Sequence, residues 1–127
     1  MATMREIMTG EVFTTTRDTP VADVAKSMLK GRFGSAVVME GSVLLGIVTE
    51  RDVLRAAASG ADLSSSPVAE WMTSDPVTAD PDMETDEATE VMMSQGFRHL
   101  PVVEGNRIAG IVSLRDILRV SVRRAGR

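Results

Sequence analysis

Two short turns carry most of the chemistry this sequence can offer: Thr49-Glu50-Arg51-Asp52 and Ser113-Leu114-Arg115-Asp116. In each, a hydroxyl precedes a carboxylate by three positions, directly after an apolar run, Gly46-Ile47-Val48 in one and Gly110-Ile111-Val112 in the other. One reading is structural: a hydroxyl at the N-cap with an acid three residues on is a capping box that closes a helix start. The other is chemical. A helix start presents unpaired N–H groups and the positive end of a dipole, so it favours an anion such as phosphate. The hydroxyl can add a hydrogen bond, and the carboxylate can accept both hydroxyls of a ribose. Hydroxyl, acid and helix start together describe a nucleotide site, and at this point both readings stand.

The turns recur because the chain recurs. Gly46 to Arg55 returns as Gly110 to Arg119, 64 positions on. The same shift carries Met8-Thr9 onto Met72-Thr73, Thr14 onto Thr78, Asp18 onto Asp82, Met28 onto Met92 and Phe33 onto Phe97, with no gap. Self-similarity at one fixed period marks a tandem duplication. The boundaries read as a first repeat over 1–60, a linker over 61–67, a second repeat over 68–122 and a basic tail over 123–127. A unit of about sixty residues buries too little surface to be secure alone, so the halves are expected to stabilise each other.

The elements that must position the turns follow from periodicity. Arg5 to Met8 reads as a short lead-in turn of helix, mirrored by Val68 to Met72. Val12 to Thr15 and the stretch near Val77-Thr78 read as short strands. Thr19-Pro20 starts a helix whose Val21, Val24, Ala25, Met28 and Leu29 recur at helical spacing, with Gly31 as its stop. Its counterpart runs from about Glu84 to Gln95, stopped by Gly96. Ser35 to Met39 and Val43 to Thr49 form a hairpin turning at Glu40-Gly41-Ser42; Arg98 to Glu104 and Arg107 to Val112 form another turning at Gly105-Asn106. Thr49 and Leu114 open the last helix of each repeat, giving strand, helix, strand, strand, helix. The nine methionines include Met28, Met92 and Met93 at buried helical spacing, whereas Trp71 and Met72 suit an interface.

Composition narrows the function. Hydrophobic content of 43% and charged content of 25% describe an ordinary soluble globular protein. A net charge of −4 argues against a protein built around nucleic-acid phosphates. No cysteine is present, which removes disulfide and thiolate chemistry and fits a reducing cytoplasm. No signal-peptide core or bilayer-length apolar run is evident, so a cytoplasmic location is expected. There is no P-loop, no G-x-G-x-x-G and no Ser-His-Asp set with a supporting motif. A nucleotide site without a base, metal cluster or activated nucleophile points to sensing rather than turnover. His99 is the single histidine and cannot build a metal centre by itself. The acids Asp80, Asp82, Glu84, Asp86 and Glu87 read as helix-start complementation, with weak Mg²⁺ binding behind.

A lead-in ending in Met-Thr, a Thr-bearing strand and a closing Gly-Ile-Val-Thr/Ser-x-x-Asp-Val/Ile-Leu resemble the cystathionine β-synthase (CBS) domain, in its usual tandem pair. Arg98-His99-Leu100-Pro101-Val102-Val103 is a further signature, and the resemblance spans about Met4 to Val120. It implies an α/β (α+β) fold of two βαββα repeats packed sheet to sheet about a pseudo-twofold axis, often assembled as a disc-like homodimer. It also implies clefts between the repeats for AMP, ADP, ATP or S-adenosylmethionine, with no required cofactor.

Carried over by position, Thr49 and Ser113 meet phosphate or ribose, and Asp52 and Asp116 meet the ribose hydroxyls. Thr9 to Phe13 (with Val12) and Thr73 to Val77 line the adenine pockets. Ser35 to Val37 and His99 to Pro101 form the opposite wall. The sequence departs from the pattern where Gly34-Ser35-Ala36-Val37 stands against Arg98-His99-Leu100-Pro101, so the two sites are not expected to be equivalent. Arg98 favours the second as the tighter anion site. Arg115 repeats Arg51, and which arginine reaches which cleft stays open.

The leading expectation is a regulatory nucleotide-binding module that modulates a protein partner. The alternative is a dimeric interaction scaffold with vestigial sites. Nucleic-acid binding through Arg119, Arg123, Arg124 and Arg127 ranks last, given the acidic total and few aromatic stacking residues.

Overall fold

The computed structural model describes residues 2–125. In chain order its elements are α1 (Met4–Ile7), β1 (Thr14–Thr15), α2 (Val21–Gly31), β2 (Ser35–Glu40), β3 (Val43–Thr49) and α3 (Glu50–Ala58). A 3₁₀ turn (Val68–Glu70) follows, then β4 (Thr73–Ser74), α4 (Thr85–Gln95), β5 (His99–Glu104), β6 (Arg107–Ser113) and α5 (Leu114–Ala125). The class is mixed α/β, with the helix–hairpin–helix core of each repeat where periodicity places it. These elements gather into two compact units cut differently from the repeats. A mid-chain unit holds Val12–Pro76, and a terminal unit joins residues 1–11 to 77–127. Each repeat gives its lead-in to the other's unit.

In the mid-chain unit β2 and β3 form an antiparallel hairpin, turning through Gly41 at φ +61°. β1 runs parallel to β2 and β4 antiparallel to β3, giving the sheet order β1-β2-β3-β4. α2 buries Val21, Val24 and Met28 against Ala36, Val38, Val48 and Ala56. Leu29, expected on the buried stripe, is 82% exposed, because it lies one helical step (about 100°) round from Met28. The stop is not Gly31, which is still helical. Arg32 takes the left-handed conformation at φ +59°, and Phe33 N–H bonds the Met28 carbonyl at 2.9 Å. Gly31 is needed for another reason: the Phe33 ring, stacked on Phe13 at 5.4 Å, leaves no room for a Cβ there. The linker is tied down. Val21 and Ala22, at the start of α2, donate to the carbonyls of Ser66 (2.8 Å) and Leu63 (2.9 Å), satisfying first-turn N–H groups.

The terminal unit repeats this plan with substitutions. Met4 fills the place of Val68, Leu100 that of Ala36, Val102 that of Val38 and Val112 that of Val48, and Met92 repeats Met28. Met93 repeats Leu29 and is likewise exposed, contrary to its expected burial. α4 ends at Gly96 with φ +75°, as its sequence predicts. Thr9 bridges Ile111 as Thr73 bridges Ile47, so the borrowed lead-in edges the second hairpin as β4 edges the first.

The strand expected near Val77-Thr78 is reduced to one parallel bridge, Ala79 with Val102. The cause is Pro101. In the mid-chain unit Val37 N–H donates to the Phe13 carbonyl at 2.9 Å, but proline at the matching position has no N–H to offer Val77. α5 runs through Ala125, so the expected tail from 123 is helical as far as it is described; positions 126 and 127 lie outside the described residues.

An ion pair fastens α1 to the hairpin: Arg5 Nη2 donates to Glu104 Oε2 at 2.8 Å and lies 3.8 Å from Asp82 Oδ1. The hydrogen bond from Arg5, then its charge, hold the Glu104 carboxyl below the ordinary glutamate value. A carboxyl with a lowered folded pKa stabilises above its unfolded pKa and loses that contribution as pH falls through the folded value. Glu104→Gln should therefore lower Tm slightly at pH 7. The gap should close as pH falls below the usual carboxylate range, and shrink in high salt because both side chains are exposed. A gap that widens in acid would contradict this pairing; Tm scans at several pH values decide.

Candidate functional site

The two turns are built alike. A buried strand, β3 or β6, ends in a hydroxyl residue that becomes the N-cap, and the helix starts at once. Asp52 Oδ2 accepts from Thr49 N (2.9 Å) and Thr49 Oγ1 (3.1 Å), while Asp52 N donates to Thr49 Oγ1 at 3.4 Å. Asp116 Oδ2 accepts from Ser113 N at 2.8 Å, and Asp116 N donates to Ser113 Oγ at 3.1 Å. Both turns are thus capping boxes, each worth about 1 kcal/mol to its helix. The first helical N–H groups are also taken: Glu50 N donates to Gly34 O (3.2 Å) and Leu114 N to Arg98 O (2.8 Å).

Capping does not use up a carboxylate, which has about four lone-pair positions on its two oxygens. It fixes Oδ2 and so orients Oδ1. At Asp52, Oδ1 accepts from Arg55 Nη1 at 2.9 Å; at Asp116, Oδ1 lies 3.6 Å from Arg119 Nη1. The two acids keep side-chain exposures of 10% and 18%.

The remaining candidates fall into one set per unit. In the mid-chain unit Ser35 pairs across the hairpin with Thr49 and Val37 with Ile47. Ser35 and Val37 are buried and Val12 half-buried. In the terminal unit His99 pairs with Ser113 and Pro101 with Ile111. His99 is half-buried and Pro101 buried, while Val77, Arg98 and Arg115 are exposed. The stretches Thr9 to Phe13 and Thr73 to Val77 each straddle a boundary between units, which falls after Glu11 and after Pro76. A surface depression lined by Glu90, Val91, Met93 and Ser94 contains none of the candidates. Among the described residues no group of three or more potential ligands could hold a metal ion. Among them also, no helix is long and apolar enough to cross a membrane.

Sequence reasoning passed over Arg55, and read Arg119 only as a nucleic-acid contact rather than as a partner of Asp116. The signal was present: an arginine three residues after each aspartate, both inside the repeated decapeptide, is a helical ion-pair spacing. Trp71, set aside in the sequence as an interface residue, is half-buried, packs against the mid-chain core and faces Arg55; its counterpart at position 7 is isoleucine.

The CBS domain family model matches residues 4–59 and again 68–123. The CBS domain-containing protein YhcV of Bacillus subtilis is 34% identical over 118 residues, covering 92% of this chain and 84% of its own. A CBS-domain containing protein from Agrobacterium tumefaciens superposes with a TM-score of 0.88 at 30% identity, covering 94% of this chain and 99% of that one. The CBS domain pair of protein MJ0100, solved with 5′-methylthioadenosine and S-adenosyl-L-methionine, superposes with a TM-score of 0.88 at 25% identity, covering 97% and 98%.

Proposed function

The chain belongs to the CBS domain family as a tandem pair, and from that premise we propose that it is a regulatory module binding an adenosine-containing ligand. The ligand class is AMP, ADP, ATP or S-adenosylmethionine. The observation that carries the reading is the doubled turn, in which capping pins one oxygen of Asp52 or Asp116 and directs the other away from its own backbone. A similarly folded CBS pair holds methylthioadenosine and S-adenosylmethionine, which supports adenosine as the shared feature.

Thr49 and Ser113 would meet phosphate or ribose, the aspartates the ribose hydroxyls, and Arg98 a phosphate by a charge-assisted bond. His99, Pro101, Ser35, Val37, Val12 and Val77 would contact the nucleoside, and Arg115 supplies positive charge beside Ser113. The role is non-catalytic and cytoplasmic. Binding favours whichever conformation holds the ligand better, and that shift alters affinity for a regulated protein.

The module acts as a homodimer. Leu29 (82% exposed) and Met93 (74%) are repeat equivalents, as are Leu54 (69%) and Leu118 (55%). Apolar side chains left bare at the same place in both repeats fit a self-complementary interface.

Calorimetric titration and thermal shift with AMP, ATP and S-adenosylmethionine test the reading. At least one should raise Tm, since a ligand at a hundred times its Kd adds about 2.7 kcal/mol to the native state. Asp116→Ala should weaken that ligand by about 100-fold, the cost of two hydrogen bonds to a charged acceptor. A Tm indifferent to all three leaves the interaction scaffold as the function.

A further inference from the structure

We infer that the two candidate sites are closed and open respectively: Arg55, held between Asp52 and Trp71, blocks the mid-chain turn, and one nucleoside binds per chain, at the Asp116 turn. This rests on the nucleotide-binding reading above.

Four features of the structure point the same way. The first is the acid. Asp52 has both oxygens engaged, Oδ2 by two Thr49 donors and Oδ1 by the guanidinium of Arg55 at 2.9 Å. Arg55 also contacts Trp71, its guanidinium carbon 5.7 Å from the ring centre, a cation–π contact, while its side chain is 58% exposed. A ribose would have to displace a charge-assisted bond and a stacked cation together. In the terminal unit Arg119 stands 3.6 Å from Asp116, and Ile7 occupies the place of Trp71, so no indole stands at that position to face the arginine.

The second feature is the cation for phosphate. Arg98 is exposed beside the Asp116 turn, its own carbonyl accepting the first N–H of α5; Gly34 stands at the matching place by Asp52.

The third is the backbone edge. The Phe13 carbonyl accepts Val37 N–H, whereas Pro101 has no N–H to give the Val77 carbonyl, which accepts no backbone N–H among the described residues and could take the exocyclic amine of an adenine.

The fourth is side-chain bulk. Phe13 stacks on Phe33 and packs against the mid-chain core, while its equivalent Val77 is a smaller side chain and 37% exposed.

The test is stoichiometry by calorimetry with AMP and with S-adenosylmethionine. Wild type should bind one molecule per chain. Arg55→Met, which keeps the aliphatic stem and removes the cation, should bind a second. Trp71→Leu, which removes the face that holds the arginine, should do the same. Arg119→Met should leave the count at one, which separates a specific block from a general effect of losing an arginine. A ligand-free readout accompanies this: Trp71 is the single tryptophan, so its emission should shift in Arg55→Met and stay in place in Arg119→Met.

Two equal sites in wild type would overturn the block while leaving nucleotide binding intact. One site in wild type with no second in either Arg55→Met or Trp71→Leu would also overturn it. Absence of binding in wild type and in Arg55→Met would instead sink the nucleotide reading itself, and the inference with it.

Discussion

Gly110→Ala should lower the melting temperature by about 10 °C, and Gly46→Ala should do the same. A Cβ at 110 would stand 2.6 Å from Met8 Sδ and 2.9 Å from the Thr9 carbonyl oxygen; at 46 it would stand 2.7 Å from both Met72 Sδ and the Thr73 carbonyl oxygen. A thioether can swing aside, but the carbonyl belongs to the bridge that edges the hairpin, Thr9 with Ile111 or Thr73 with Ile47. Relief therefore means moving the lead-in. In the terminal unit that lead-in carries Met4, fully buried beside Val112 and Ile117. Overpacking alone costs about 1–3 kcal/mol. Partial withdrawal of a buried methionine adds to it, and at this chain length each kcal/mol moves Tm by roughly 4 °C.

Circular-dichroism melts of Gly110→Ala, Met8→Ala and the double variant separate the two clashes. The double variant should recover part of the loss, a coupling between contacting residues, and not all of it, because the Thr9 carbonyl remains. A Gly110→Ala protein that melts with wild type would mean the lead-in is not seated on β6.

That seat explains what could and could not be read from the amino acids. Gly46 and Gly110 are visible as repeats, and both hairpins, both capping boxes and the Gly96 stop follow from turn and cap chemistry that acts within a few residues. The exchange of lead-ins is not local. Met8-Thr9 stands near the start of the first repeat just as Met72-Thr73 stands near the start of the second, and nothing in either dipeptide says which β-strand it will edge. The missing strand at Val77 was legible in principle, since Pro101 denies it a donor, but only once parallel pairing of those two stretches is known.

Leu29 and Met93 misled in the same way, and for one reason. An apolar residue at helical spacing is assigned to the core when the periodicity leaves no other surface for it to face. For the candidate site, the sequence carried both aspartates and the Arg98/Gly34 difference, while the hold of Trp71 on Arg55 depends on a fold contact across sixteen positions of chain.

The exposed apolar pairs lead to the second large effect. Wild type should sediment at about twice its 13.6 kDa, and Leu54→Glu with Leu118→Glu should sediment as the single chain. Leu54 lies on α3 and Leu118 on α5, each displayed outward from a helix whose other face is buried through Ala56 or Ile117. Burying a leucine side chain contributes about 1.5–3 kcal/mol, and a two-fold dimer would cover each of these positions in both copies. Glutamate reverses the sign: an ionised carboxylate without a partner resists leaving water, so four of them in one dimer cost far more than the lost apolar area. Because both positions are exposed within the chain, the monomer released should keep its secondary structure, which separates dissociation from unfolding. Leu29→Glu with Met93→Glu provides the comparison on α2 and α4. If the Leu54/Leu118 variant stays dimeric while the Leu29/Met93 variant dissociates, the interface runs along α2 and α4 instead. A wild-type chain that sediments as a monomer at tens of micromolar would remove the homodimer from the proposed function and leave the ligand turns to act within a single chain.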